Sequence, residues 1–226
     1  MLVLLLARLK VFNPSVKFLI NPLNFILSSS LLPLMSIITR FNSNDLFKFN
    51  NVNLDYWTET YSIKFYQNYL ITNPKLNFKL TLSDDTLLGY LISKVEGRNY
   101  DFHSHVTALS ICHQFRKIGS ANKLMNVLEY LSNEYFRTYF IDLFVRPSNS
   151  NALKMYHSLS YSVYRTVVGY YGDDEDAYGR YFICYVFLYL ISLIDMRKCT
   201  KHDVDKKTVR ENGHLFKCSP QDTIFA

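Results

Sequence analysis

Apolar positions in the middle of this chain follow two alternating rhythms. His105-Val106-Thr107-Ala108-Leu109-Ser110-Ile111 repeats every second residue and predicts a strand, whereas Leu124, Val127, Leu128 and Leu131 fall at i, i+3, i+4 and i+7 and predict an amphipathic helix. The pair then recurs. Thr138 to Val145 reads as a second strand, Pro147 and Ser148 mark a helix start, and Ala152, Leu153, Tyr156 and Leu159 carry the helical spacing. Upstream, Phe78–Leu82 and Leu87–Val95 predict a hairpin around Ser83-Asp84-Asp85. Before that hairpin a short first strand leads to two helices, one capped at Ser43-Asn44-Asp45 ahead of Leu46, Phe47 and Phe49, the other running from Tyr61 to Ile71 and ending before Asn73-Pro74. Tyr161 to Tyr171 adds a further strand. The predicted order, β-α-α-β-β-β-α-β-α-β-β, is an α/β (mixed α+β) fold with crossover helices on a mixed sheet.

Two apolar segments break the pattern. Residues 1–34 are rich in Leu and Phe, hold Arg8, Lys10 and Lys17 but no Asp or Glu, and are interrupted by Pro14, Pro22 and Pro33, which argues against a continuous membrane helix. They leave open a transit segment. Residues 179–194, from Gly179 to Ile194, form an almost unbroken apolar run that a solvated loop would not tolerate and that is short for a membrane span. A membrane anchor is a strained reading of that run.

Composition narrows the classes. With 226 residues, 49% hydrophobic and 19% charged, the chain can bury one globular core. A formal charge of +6 allows an anionic ligand, but no nucleic-acid motif accompanies it. Cys112, Cys184, Cys199 and Cys218 have neither C-x-x-C nor Cys/His spacing, so neither a zinc site nor a disulfide framework is expected. No G-x-S-x-G elbow frames a serine, which sets a hydrolase aside.

The chemistry concentrates at the two strand-to-helix turns. Arg116-Lys117-Ile118-Gly119-Ser120-Ala121 lies at a predicted helix N-terminus, where main-chain N–H groups can receive a phosphate, with Gly119 keeping a Cβ out of the way and Arg116 and Lys117 adding charge. After the second turn, Asn149, Ala152 and Tyr156 stand at i, i+3 and i+7, so an amide, a small residue and a phenol share one helix face.

R-x-x-G-x-A after one strand and N-x-x-A-x-x-x-Y after the next resemble the GCN5-related N-acetyltransferase (GNAT) superfamily. Blocks at Phe49–Asp55, Thr58–Tyr61, His103–Ser110, Asp142–Arg146, Tyr161–Val167 and Asp174–Tyr178 are similar to the catalytic subunits of N-terminal acetyltransferase B (NatB). The resemblance implies a GNAT fold whose neighbouring parallel strands splay to admit acetyl-CoA as co-substrate, with no metal. It places Leu109 and Ile111 along the pantetheine arm, Arg116, Lys117, Gly119, Ser120 and Ala121 around the pyrophosphate, and Asn149 and Tyr156 beside the thioester. Tyr156 would stabilise or protonate the leaving thiolate, a Tyr, a His or an ordered water would carry the amine proton away, and His105, counted with Tyr156 as catalytic, would with Thr107 read the second side chain. Glu59, Tyr61, His105, Thr107, Tyr170 and Tyr171 would hold a peptide N-terminus beginning Met-Asp, Met-Glu, Met-Asn or Met-Gln. A helical-repeat auxiliary subunit docked on Asp45–Ile71, nascent chains at the ribosome and a cytoplasmic location are implied in the same way. The resemblance begins just after Met35, runs to Tyr178 and resumes at Asp195. It implies an upstream in-frame extension before a start at Met35 as the favoured reading of residues 1–34, a folded domain over 35–178, a translated retained intron over 179–194, and a last strand remnant with a basic tail over 195–226. The alternatives are a GNAT enzyme with another amine acceptor and a membrane-tethered, non-catalytic binding module.

Overall fold

The computed structural model describes residues 36–168 and 192–223. The chain opens with β1 (Ile37–Arg40), a 3₁₀ turn at Ser43–Phe47, the single turn α1 (Asn50–Asn53) and α2 (Ile63–Thr72). The hairpin β2 (Phe78–Thr81) and β3 (Leu87–Glu96) leads to β4 (His103–Ile111), α3 (Ser120–Leu131), β5 (Phe140–Val145) and α4 (Ser150–Ser158). The order then runs through β6 (Ser162–Val167), β7 (Leu193–Cys199) and β8 (Lys217–Cys218). One sheet holds all the strands among the described residues, in the order β1-β2-β3-β4-β5-β7-β6-β8. The β4–β5 and β6–β8 pairs are parallel and the others antiparallel.

Local chemistry explains the elements. Ser62 caps α2 by accepting from the Phe65 N–H at 3.3 Å. Asn42 and Asp45 form a reciprocal capping box, one residue earlier than predicted, and the expected first helix is only a 3₁₀ turn and one α turn. Its apolar residues do not repeat for a second turn, so nothing extends the helix.

The core lies where α3 and α4 cover the sheet. Leu124, Met125 and Leu128 are fully buried on α3, each contributing about 1.5–3 kcal/mol of transfer free energy. They pack with Leu80, Leu91, Leu143, Tyr156 and Met196. A second cluster on the other side of the sheet is aromatic, with Phe41, Phe49, Tyr66 and Tyr90.

The C-terminal boundary differs from the expectation. β7 begins at Leu193, inside the segment expected to be an insert, and pairs with both β5 and β6. The chain after 192 is therefore a central part of the sheet rather than a remnant beyond a domain ending at 178. The tail also folds. Gly213 packs against the Val163 carbonyl, where a Cβ would stand 1.9 Å from the oxygen, and β8 extends the edge of β6. Tyr164 is held between two guanidinium groups, Arg197 at 3.5 Å and Arg210 at 3.8 Å from its ring centre. The predicted N-terminal extension and residues 179–191 of the predicted insert lie outside the described residues. Among those described, no helix is long and apolar enough to cross a membrane.

Candidate active site

β4 and β5 run in parallel register for four rungs, from His103 opposite Phe140 to Val106 opposite Leu143, and then part. Beyond that point β4 continues on β3 to Ile111, while β5 continues on β7 to Val145. The separation starts beside a bulge. Ile92 faces Ala108 and Ser93 faces Val106, so Thr107 is the extra residue on β4. A cavity of about 350 Å³ occupies the gap, lined by Thr107, Ala108 and Leu109 from β4 and by Phe144, Val145 and Arg146 from the β5 end.

α4 supplies one wall. Asn149, Ala152 and Tyr156 all line the cavity, as their spacing predicts. Asn149 is also the α4 N-cap, accepting from the Ala152 N–H at 3.2 Å, so its carbonyl oxygen orients the helix whose face the cavity uses. Burial raises the Tyr156 pKa and keeps the phenol protonated.

The opposite wall comes from α2 and the loop before it: Trp57, Glu59, Tyr61, Phe65 and Tyr69. Tyr61 stacks on Phe65 at 4.2 Å between ring centres, and Thr107 Oγ1 donates to the Tyr69 hydroxyl at 3.2 Å. Glu59 forms an ion pair with Arg146, which ties this loop to the end of β5 across the mouth of the gap. Tyr69 and Arg146 were not singled out in the sequence, because only the folded sheet brings them to the cavity.

The turn expected to receive a phosphate follows β4. Gly119 adopts φ +82° and precedes α3 without a side-chain cap, so the first N–H groups of a 12-residue helix keep no side-chain partner there. A Cβ at Gly119 would meet no protein atom within 4 Å, so the glycine is required here by its left-handed backbone rather than by crowding. Arg116 differs from the expected phosphate contact. Its Nε donates to the Ile111 carbonyl at 2.8 Å and its guanidinium pairs with Asp55 at 2.7 Å, which anchors the loop to the segment after α1. Ser120 Oγ is likewise committed to the Phe115 carbonyl at 3.1 Å. The groups left open at this helix start are the main-chain N–H groups after Gly119, with exposed Lys117 beside them. Leu109 lines the cavity, whereas Ile111 is buried and its carbonyl serves Arg116.

This two-walled gap between diverging parallel strands, with a helix starting behind a left-handed glycine just after β4, agrees with the sequence comparison. Residues 45–161 match the family described as Acetyltransferase (GNAT). The chain belongs to the GNAT acetyltransferase family. It is 47% identical over 178 residues to N-alpha-acetyltransferase 20 of Dictyostelium discoideum, covering 77% of this chain and 92% of that protein. It is 43% identical over 197 residues to the N-terminal acetyltransferase B complex catalytic subunit naa20 of Schizosaccharomyces pombe, covering 84% and 100%. Among solved structures, Chaetomium thermophilum Naa20 in complex with a bisubstrate analogue aligns at a TM-score of 0.71 and 33% identity, over 81% of this chain and 97% of that one.

His105 and Thr107 of β4 also line the cavity. His105 Nδ1 lies 2.9 Å from Asp142 Oδ1, directly opposite on β5. Asp142 is fully buried; burial opposes its ionisation, but the charges of His105, His103 and Arg197 outweigh that and hold its pKa below the usual range. Its role is not visible in the sequence, since residue 142 reaches His105 only through the parallel pairing. Tyr170 and Tyr171 lie outside the described residues.

Proposed function

We propose that this chain is the catalytic subunit of a NatB-type N-terminal acetyltransferase, moving an acetyl group from acetyl-CoA to the α-amino group of proteins beginning Met-Asp, Met-Glu, Met-Asn or Met-Gln. The observation that carries this reading is the cavity between β4 and β5, with Tyr156 on one wall and the His105–Thr107 pair at the other end.

The residues suit the co-substrate. The uncapped start of α3 offers N–H groups to a diphosphate, Leu109 offers main chain along the gap, and Tyr156 presents a protonated phenol. An α-amino group has a pKa of about 7.7–8.0, so roughly a tenth is neutral at pH 7 and modest base assistance suffices. His105, oriented through Nδ1 by Asp142, takes the proton from the attacking amine. Nitrogen bonds to the thioester carbon, the C–S bond breaks, and Tyr156 donates to the departing thiolate. Thr107 and His105 meet the polar side chain of the second residue, while Trp57, Tyr61, Phe65 and Tyr69 form an apolar slot for the first. Glu59, paired with Arg146, holds the loop over the peptide.

A helical-repeat auxiliary subunit accounts for the first helical segment. Phe47, Leu54 and Tyr56 are each more than 80% exposed and Ile71 is 78% exposed, which is costly on a surface left in water. Through that partner the enzyme would work on nascent chains at the ribosome, in the cytoplasm.

A panel of peptides varied at the first two residues tests the assignment. Met-Asp and Met-Asn starts should be acetylated at least tenfold faster than Ser-Ser or Met-Leu; equal rates across the panel would overturn it.

A further inference from the structure

β3 and β4 assemble a second cluster beneath the acceptor end of the cavity. Glu96 closes β3, His103 faces it at the start of β4, and His105 follows two residues on. One metal-ligating atom from each of Glu96, His103 and His105 lies within 4.8 Å of the other two. Asp142 backs the group from β5: its Oδ1 stands 2.9 Å from His105 Nδ1 and 3.5 Å from His103 Nε2. His103 Nε2 is also 3.5 Å from Glu96 Oε1. Ligands about 2.0–2.1 Å from a tetrahedral zinc ion stand about 3.4 Å from one another, so Glu96 and His103 already hold that spacing and His105 lies within a small side-chain shift of it.

The surroundings point the same way. His103 Nδ1 hydrogen-bonds to the Asp101 carbonyl and His105 Nδ1 to the Asp142 carboxylate. In a neutral ring that arrangement places the proton on Nδ1 and the lone pair on Nε2, which is how metal-binding histidines are commonly oriented. His103 is immobilised by a parallel stack on Phe140, 4.6 Å between ring centres and 5° from coplanar. Asp142 is fully buried, and its Oδ2 has no hydrogen-bond partner among the described residues. Lys94 is the competing cation, but it pairs with Glu96 Oε2 and leaves Oε1 facing His103.

Two imidazoles and a carboxylate with no thiolate favour Zn²⁺ over Cu⁺, and the nitrogen ligands favour it over Mg²⁺ or Ca²⁺. The Glu96 ligand and the Asp142 carboxylate behind His105 also balance its double charge. We propose that Glu96, His103 and His105 form a Zn²⁺ site under the acceptor end of the cavity, with Asp142 orienting His105 and a water as fourth ligand, and that zinc opposes peptide binding by engaging His105. Cysteine spacing could not reveal it, because no cysteine takes part.

The test uses the complex of this chain with its auxiliary subunit, stripped with EDTA. Calorimetric titration with ZnCl₂ should show one ion per catalytic chain, and Co²⁺ in its place should give the intense visible bands of a four-coordinate ion. Glu96→Gln, at a half-exposed strand end, should weaken Zn²⁺ binding at least tenfold; His103→Gln, checked for folding by its thermal transition, should abolish the cobalt bands. Zinc should raise the KM for a Met-Asp peptide and leave that for acetyl-CoA within twofold. Absence of saturable binding, or equal affinity in wild type and Glu96→Gln, would overturn the site, and an unchanged peptide KM at saturating zinc would overturn the competition. The calorimetric result does not depend on which peptide is the substrate, so the site and the substrate assignment fail separately.

Discussion

His105 and Asp142 face each other across the parallel β4–β5 pair, joined by a 2.9 Å hydrogen bond one rung before the strands separate. The bond fixes one imidazole nitrogen against a fully buried carboxylate at the point where the cavity opens. Asp142→Asn keeps the shape but removes the charge that opposes His105. Breaking a buried pair of this kind should cost about 3 kcal/mol of stability, readable as a lower urea midpoint. Activity on Met-Asp peptides should fall at least tenfold, while acetyl-CoA affinity measured by calorimetry stays within twofold.

Tyr156 carries a separate step. Tyr156→Phe should lower kcat by about a hundredfold, the scale of general acid catalysis, and leave the KM for acetyl-CoA nearly unchanged. Burial raises the phenol pKa, so the neutral acid persists as pH rises and Tyr156 itself contributes no alkaline decline in rate. A kcat profile that falls above pH 9 in wild type but not in Tyr156→Phe would contradict the raised pKa, and a kcat unchanged in Tyr156→Phe would contradict the role.

Two glycines separate backbone conformation from crowding. Gly119→Ala places an ordinary residue at φ +82° in open space, so it should fold with a loss of about 1–2 kcal/mol and raise the KM for acetyl-CoA. Gly89→Ala would set a Cβ 2.4 Å from Ile111 Cδ1 and 2.6 Å from the Ser110 carbonyl oxygen. It should be the more destabilising substitution, and thermal unfolding of the two variants checks the order.

Stability should also follow the Glu96–His103 pair. Burial disfavours the Glu96 carboxylate, but His103 and Lys94 overcome it and bring its pKa to about 2 from an ordinary 4.5. Its contribution is therefore present above about pH 4.5 and is lost as pH falls towards 2. For His103 burial disfavours the cation, yet Glu96, the charge of Asp142 and the Asp101 carbonyl raise its pKa above 6.5. That contribution is complete below pH 6.5 and is lost as pH rises through the raised value. Urea unfolding in EDTA should thus show both contributions intact between these limits, with Glu96→Gln flattening the acid side and His103→Gln the alkaline side.

Much of this arrangement was legible in the chain because local rules and tertiary packing agree there. The alternation at His105–Ile111 and the helical spacing at Leu124–Leu131 placed β4 and α3, and Asn149, Ala152 and Tyr156 reached the cavity together because one helix carries all three. What was hidden depends on residues distant in sequence. Asp142 meets His105 through strand pairing, Arg116 turns to Asp55, and Glu59 finds Arg146, contacts that no local period encodes. β7 was obscured differently: Leu193 and Ile194 continue the preceding apolar run, so hydropathy alone could not mark where the strand begins.

The most direct measurement is a crystal structure of the chain with its auxiliary subunit, bound to CoA joined covalently to a Met-Asp peptide. The account predicts the sulfur between β4 and β5 beyond Val106 and Leu143, near the Tyr156 hydroxyl, with the diphosphate on the amides of residues 119–121 and the aspartate side chain at His105 and Thr107. A β4–β5 pair zipped shut past those rungs, with the ligand bound elsewhere, would contradict it.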